Sequence, residues 1–205
     1  MDDADGLRWW FDSGALALDF AYTGGADVLG AAGDADAAQW HSVRDADQLG
    51  GWLRSRFPEV SATTGEREFR DAEMLRAAIG RLARQASRAE ALGPADVDVV
   101  NLFAATPDIP PVLAGGARQA GRALARPHQA LGTVARDAVR LFGPDADGRI
   151  RECSAHDCGL VYLDTSRSGN RRWCSMQRCG NRAKVRAHRA RAAGRRSGAG
   201  GGTAE

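Results

Sequence analysis

Four cysteines stand at positions 153, 158, 174 and 179, and the first 152 residues of this 205-residue chain contain none. They form two pairs, Cys153-x4-Cys158 and Cys174-x4-Cys179, separated by fifteen residues. A tetrahedral zinc site with four thiolate ligands needs such a pattern, because each close pair wraps one edge of the ion and the spacer returns the second pair. Iron–sulfur clusters more often draw their cysteines closer together. No Cys-x-x-Cys is present for thiol redox chemistry. His156, between the first two cysteines, is the alternative ligand. Four thiolates leave no open coordination position, so the single Zn2+ is expected to be structural.

The elements that must position these ligands follow from the spacer. Gly159–Asp164 is apolar and strand-like, Thr165–Asn170 is a polar turn, and Arg171, Arg172 and Trp173 suggest a second strand. From Met176 to Ala193 no proline interrupts a helical stretch. Cys179 is therefore expected in the first turn or two of a helix, giving a loop, a hairpin and a helix around one ion. Zinc with four thiolates carries a formal charge of −2, which Arg172, Arg178 and Arg182 are placed to offset. Trp173 is expected to pack over the zinc site; stacking on a base is the alternative.

Charge is divided along the chain. Residues 149–196 hold 13 Arg or Lys against 3 Asp or Glu, whereas residues 1–148 hold 15 against 22. A basic end on an acidic body points to an anionic polymer as partner. Arg178, Arg182, Arg186 and Arg189 share one helix face, and Lys184, His188, Arg191 and Arg195 form a second stripe. Beyond Met176 and Val185 the helix has few large apolar residues, so its later half cannot be packed into a core. The candidate nucleic-acid contacts are Arg171, Arg172, Arg178, Asn181, Arg182, Lys184, Arg186 and Arg189. Asn181 either braces the zinc loop or reads a base.

The remainder is expected to be mainly α with small β-hairpins (α+β). Arg8–Phe11 and Ala15–Tyr22 flank an Asp12-Ser13-Gly14 turn signal and suggest an N-terminal hairpin; residues 23–38 suggest a loop. Asp45 is an N-cap candidate for a helix carrying Leu49, Trp52 and Leu53, ended by Pro58. A long helix runs from Thr64 or Gly65 to about Leu92, with Phe69, Ala72, Leu75, Ile79, Leu82 and Ala86 as its stripe. Pro94–Ala105 and Pro127–Phe142 are further helices; short strands are assigned near Pro111–Leu113 and Gln119–Leu124. The domain plan is a helical domain over residues 1–143, a linker at 144–148, a treble-clef-like zinc finger at 149–194 and a disordered tail at 195–205. The cysteine-free domain is expected to fold alone. Asp19, on an apolar segment, needs partners if buried, either within the fold or on a ligand.

Cys179-Gly180-Asn181-Arg182 spells CGNR, the run from Asp164 to Arg191 resembles the CGNR zinc-finger family, and the match holds at all four cysteine positions of the chain. Leu16–Thr23, LALDFAYT, resembles the LALDFVNT-like signature of the ABATE domain that usually accompanies that finger, with Tyr22 where Asn is usual. The resemblance extends over nearly the whole chain. It implies a bacterial, stress-responsive transcription regulator whose N-terminal domain senses a small ligand and whose finger binds DNA. Asp19, Tyr22 and Thr23 are then the candidate ligand contacts. RNA or a protein is the alternative partner of the finger. The chain is not expected to be an enzyme: it has no Gly-rich phosphate loop, no Ser/His/Asp set, and no His pair of a treble-clef nuclease. No membrane span or signal peptide is legible, so a cytoplasmic location is expected. The sequence does not specify the oligomeric state.

Overall fold

The computed structural model describes residues 11–25, 43–60, 63–111, 113, 115, 125–144 and 148–198, the last six by backbone alone. The features expected at residues 8–10, 26–38, 112, 119–124, 145–147 and 199–205 lie outside these. No helix among the described residues is long and apolar enough to cross a membrane.

Among the described residues, six α-helices and one two-stranded sheet are formed: α1 (Leu16–Tyr22), α2 (Ala46–Arg56), α3 (Glu66–Ser87), α4 (Pro94–Ala104), α5 (Pro127–Phe142), β1 (Ile150–Glu152), β2 (Val161–Leu163) and α6 (Asn181–Gly198). Three helices begin where local chemistry dictates. Asp45 Oδ1 accepts the Gln48 N–H at the start of α2, and Pro94 and Pro127 occupy first turns, where a missing N–H costs nothing. In α3 the stripe Ala72, Leu75, Ile79 and Leu82 is buried. This helix packs against α1, α4, α5 and β1 and so forms the centre of the molecule.

Three expectations are corrected. The segment expected as the second strand of an N-terminal hairpin is instead helix α1. Ala17, Leu18, Phe20, Ala21 and Tyr22 are all buried, and a short run buried on every side has no periodicity to separate strand from helix. Its composition, without Val, Ile or Thr, favours the helix. Asp137 Oδ2 accepts the Ala17 N–H at 2.8 Å, and Arg76 binds the Thr23 and Val43 carbonyls beyond the other end. Helix α3 stops at Ser87, short of Leu92. Ala89 takes a left-handed conformation (φ 54°), and Glu90 N–H donates to the Gln85 carbonyl, closing the last turn without a glycine. Helix α6 continues to Gly198, through residues assigned to the tail.

The Asp12-Ser13-Gly14 turn does form. Gly14 N–H donates to Asp12 Oδ1, and Gly14 sits at φ 82°. A Cβ there would lie 2.6 Å from the Leu163 carbonyl oxygen, so only glycine fits. This turn leads the chain past β2, whose Leu163 N–H donates to the Ser13 carbonyl.

The helical body and the sheet share one continuous core. Leu18, Leu75 and Ile79 belong to the same buried cluster as Leu160, Val161, Tyr162 and the four cysteines. At the junction, the Tyr22 hydroxyl donates to the Val161 carbonyl at 2.8 Å and accepts the Val161 N–H at 2.9 Å. Burial holds this phenol well above its ordinary pKa, so it stays protonated. Tyr22→Phe leaves both Val161 groups buried without a partner. The expected cost is about 1–3 kcal/mol, measured by urea unfolding; an unchanged midpoint would remove the tether.

Candidate metal centre and basic surface

β1 and β2 pair antiparallel, with Ile150 opposite Leu163, Arg151 opposite Tyr162 and Glu152 opposite Val161. The partner of Val161–Leu163 is thus upstream of the first cysteine. Residues 171–173, expected as that partner, form no strand. Asp164 explains the difference. Its carboxylate accepts the Ser166 N–H, the Ser166 hydroxyl and the Arg171 N–H, which turns the 165–170 loop away from the sheet. Ser154 N–H then donates to the Arg172 carbonyl, fixing this stretch against the first cysteine pair.

Cys153 and Cys158 lie in the tight connection between β1 and β2, where Cys153 N–H donates to the Leu160 carbonyl and Cys158 N–H to that of Ala155. Cys174 follows the loop. Cys179 sits in a π-helical turn, Met176–Gly180, that opens directly into α6. Ser175 caps that turn by accepting the Gln177 N–H. Helical placement of Cys179 in the first turn is as the sequence indicated.

All four sulfurs lie within 4.8 Å of one another, and each cysteine is buried. Cys158 and Cys179 each lie 3.5 Å from Cys174. Zinc with Zn–S bonds of about 2.3 Å requires sulfurs about 3.8 Å apart in a tetrahedron, whereas a disulfide requires about 2.05 Å. The donor set fits zinc on chemical grounds too. Hydrogen bonding from Cys158 and Cys174 lowers the Cys153 thiol to about 7. The shared proton with Cys153 pushes Cys158 and Cys174 upward. Four thiols this close cannot all ionise by themselves, and a dication resolves the conflict. The cluster is a structural site for one zinc ion. His156, 76% exposed at its side chain, points to Asp157 and is not one of the ligands.

The arginines around the site divide by role. Arg182 Nη2 donates to Cys179 Sγ at 3.4 Å and pairs with Asp157 at 3.2 Å. Contact with the Cys179 sulfur offsets burial and raises its pKa. Arg186 reaches the same Asp157 at 3.8 Å and His156 Nδ1 at 3.3 Å. Arg171 turns inward. Its guanidinium donates to the Asp12, Trp173 and Cys174 carbonyls and lies 4.2 Å from the centroid of the Tyr162 ring. These three hold the finger together. Asn181 Nδ2 donates to the Gln177 carbonyl, bracing the turn that carries Cys179. Arg172, Lys184, Arg189 and Arg191 are exposed, and their side chains make no hydrogen bond or ion pair among the described residues. Arg178 is half-buried. Trp173 is half-buried against the core, its ring beside Gly180.

Sequence reasoning missed Asp157 and Asp164. Asp164 carried a signal, since Asp-x-Ser at a strand end is the pattern of a side chain bonding the backbone two residues on. The three candidate ligand contacts are committed to the fold. Asp19 accepts the Ser13 hydroxyl at 2.6 Å and pairs with Arg56 at 3.3 Å. The Thr23 hydroxyl donates to the Phe20 carbonyl, and Tyr22 holds Val161.

Comparison with known proteins gives two matches. The model of ABATE, described as "Putative stress-induced transcription regulator", matches residues 14–144, and that of the CGNR zinc finger matches residues 149–192. No curated protein matches the chain.

Proposed function

Because the chain belongs to the ABATE family and ends in a CGNR zinc finger, we propose that it is a non-catalytic, zinc-containing transcription regulator whose finger binds DNA. One observation carries the reading. Lys184, His188, Arg189 and Arg191 stand exposed on a helix rooted in the metal site, with none of them engaged by another described residue. Fold stability has no use for such a surface. Phosphates do: each one neutralised releases condensed counterions. The zinc ion then serves to hold α6 at a fixed angle, and Arg182 and Arg186 serve to hold the helix against Asp157.

The test is binding to duplex DNA across a salt series. Four to six phosphate contacts give a slope of log affinity against log salt of about −4 to −5. Lys184→Ala or Arg191→Ala should flatten it by about one unit on any sequence. Arg182→Ala should instead weaken zinc retention. Affinity that ignores salt, or survives loss of Lys184, Arg189 and Arg191 together, would favour a protein partner.

A further inference from the structure

Beside the zinc centre, on the side of the 170–173 loop, lies an open cleft of about 600 Å3. That falls within the size range of small-ligand sites, about 300–1,000 Å3. Its apolar surface comes from the half-buried Trp173 ring and from Met176, which is 52% exposed and lies over Gly180. Its wall includes Asp12, whose carboxylate accepts the Gly14 N–H, and its polar rim Asn170, Arg172 and Gln177. These rim groups are uncommitted. The Gln177 side-chain amide makes no hydrogen bond among the described residues, and the Asn170 amide uses only its oxygen, accepting the Ser168 hydroxyl. Arg172 engages nothing but the Trp173 ring, with its guanidinium 5.2 Å from the centroid.

We propose that this cleft takes one unpaired nucleobase of the nucleic acid that the basic helix holds. The inference rests on the reading of the finger as a DNA-binding module. The chemistry is specific to a flat heteroaromatic ring. An indole, a thioether and a guanidinium plane offer faces for stacking, and two side-chain amides offer both donors and acceptors for a base edge. The surrounding segment, with 13 basic residues against 3 acidic, supplies the attraction for the adjoining phosphates. A base inside a duplex cannot enter such a cleft, so the protein should prefer DNA containing an unpaired stretch.

The test uses the full-length zinc-loaded protein and two labelled DNA probes of equal length, one a blunt duplex and one with a central unpaired stretch. The wild-type protein should bind the second about tenfold more tightly. The Asn170→Ala/Gln177→Ala variant, and separately Arg172→Lys, which keeps the charge, should lose most of that preference while keeping duplex affinity and zinc content. Lys184→Ala should weaken both probes alike. Equal affinity of the wild-type protein for the two probes, or a preference that survives both cleft variants, overturns the cleft and leaves DNA binding standing. Failure to bind either probe overturns both readings.

Discussion

Stripping the zinc should lower the stability of the entire folded chain, not of its last quarter alone. The ion organises four buried thiols, and binding of a structural zinc contributes about 10–16 kcal/mol in finger peptides, all of it to folding. The cysteine-free sequence before the linker suggested a helical domain indifferent to metal. The continuous core argues otherwise. Tyr22 is bonded to Val161, Ser13 to Leu163, and Arg88 pairs with Glu152 at 3.3 Å. When the finger collapses, the apolar surfaces of α1 and α3 that it covers meet water. A loss of roughly 4 kcal/mol in the helical body corresponds to about 10 °C in Tm at this chain length. Thermal unfolding followed by helical circular dichroism, with chelator and for Cys158→Ser, measures it. A main transition that ignores chelator would restore the picture of two independent domains.

The second large effect belongs to Asp164. Its side chain is fully buried. Its carboxylate holds both ends of the 165–170 loop and lies 3.8 Å from Arg151 Nε. Asp164→Ala strands the Arg171 and Ser166 N–H groups, at an expected cost of about 1–3 kcal/mol. Because Arg171 grips the Cys174 carbonyl, zinc retention should fall as well. Burial alone would raise the Asp164 pKa, but hydrogen bonds from Ser166 and Arg171 and the charge of Arg151 hold it below the ordinary value. A depressed folded pKa contributes stability above the unfolded value, near 4. That contribution disappears as pH falls through the folded value. Asp164→Asn should therefore lose less stability than the wild-type protein on acidification over that window, with denaturant midpoints at neutral and acid pH as the readout. Parallel acid losses in the two proteins would assign the sensitivity elsewhere.

Much of this molecule is legible in its sequence where one local interaction decides. Asp45 marks the start of α2, Pro127 that of α5, and four cysteine positions specify a metal site. Legibility ends where distant partners decide. The start of Leu16–Tyr22 is capped by Asp137, 120 residues away, which takes the Ala17 N–H. The strand that pairs with Val161–Leu163 is only three residues long and follows a glycine-containing linker, so it carried no alternation to notice. Arg171 and Arg172 are identical and adjacent, yet one is built into the core of the finger and the other stands on its surface. Only the reach of Asp164 and the Cys174 carbonyl separates them. The arginine-rich stretch is legible as a helix, but Asp157 decides which of its stripes is available.

The π-helical turn at Met176–Gly180 has a geometric consequence. Each residue of an α-helix advances the chain by about 100° around its axis, and a π turn inserts one residue more than the α ladder would hold. Cys179 lies inside this wider turn and is fastened to the metal, so the turn fixes where the axis of α6 begins relative to the ion. The compass bearing of the basic stripe is thus set by one turn of backbone beside the last thiolate.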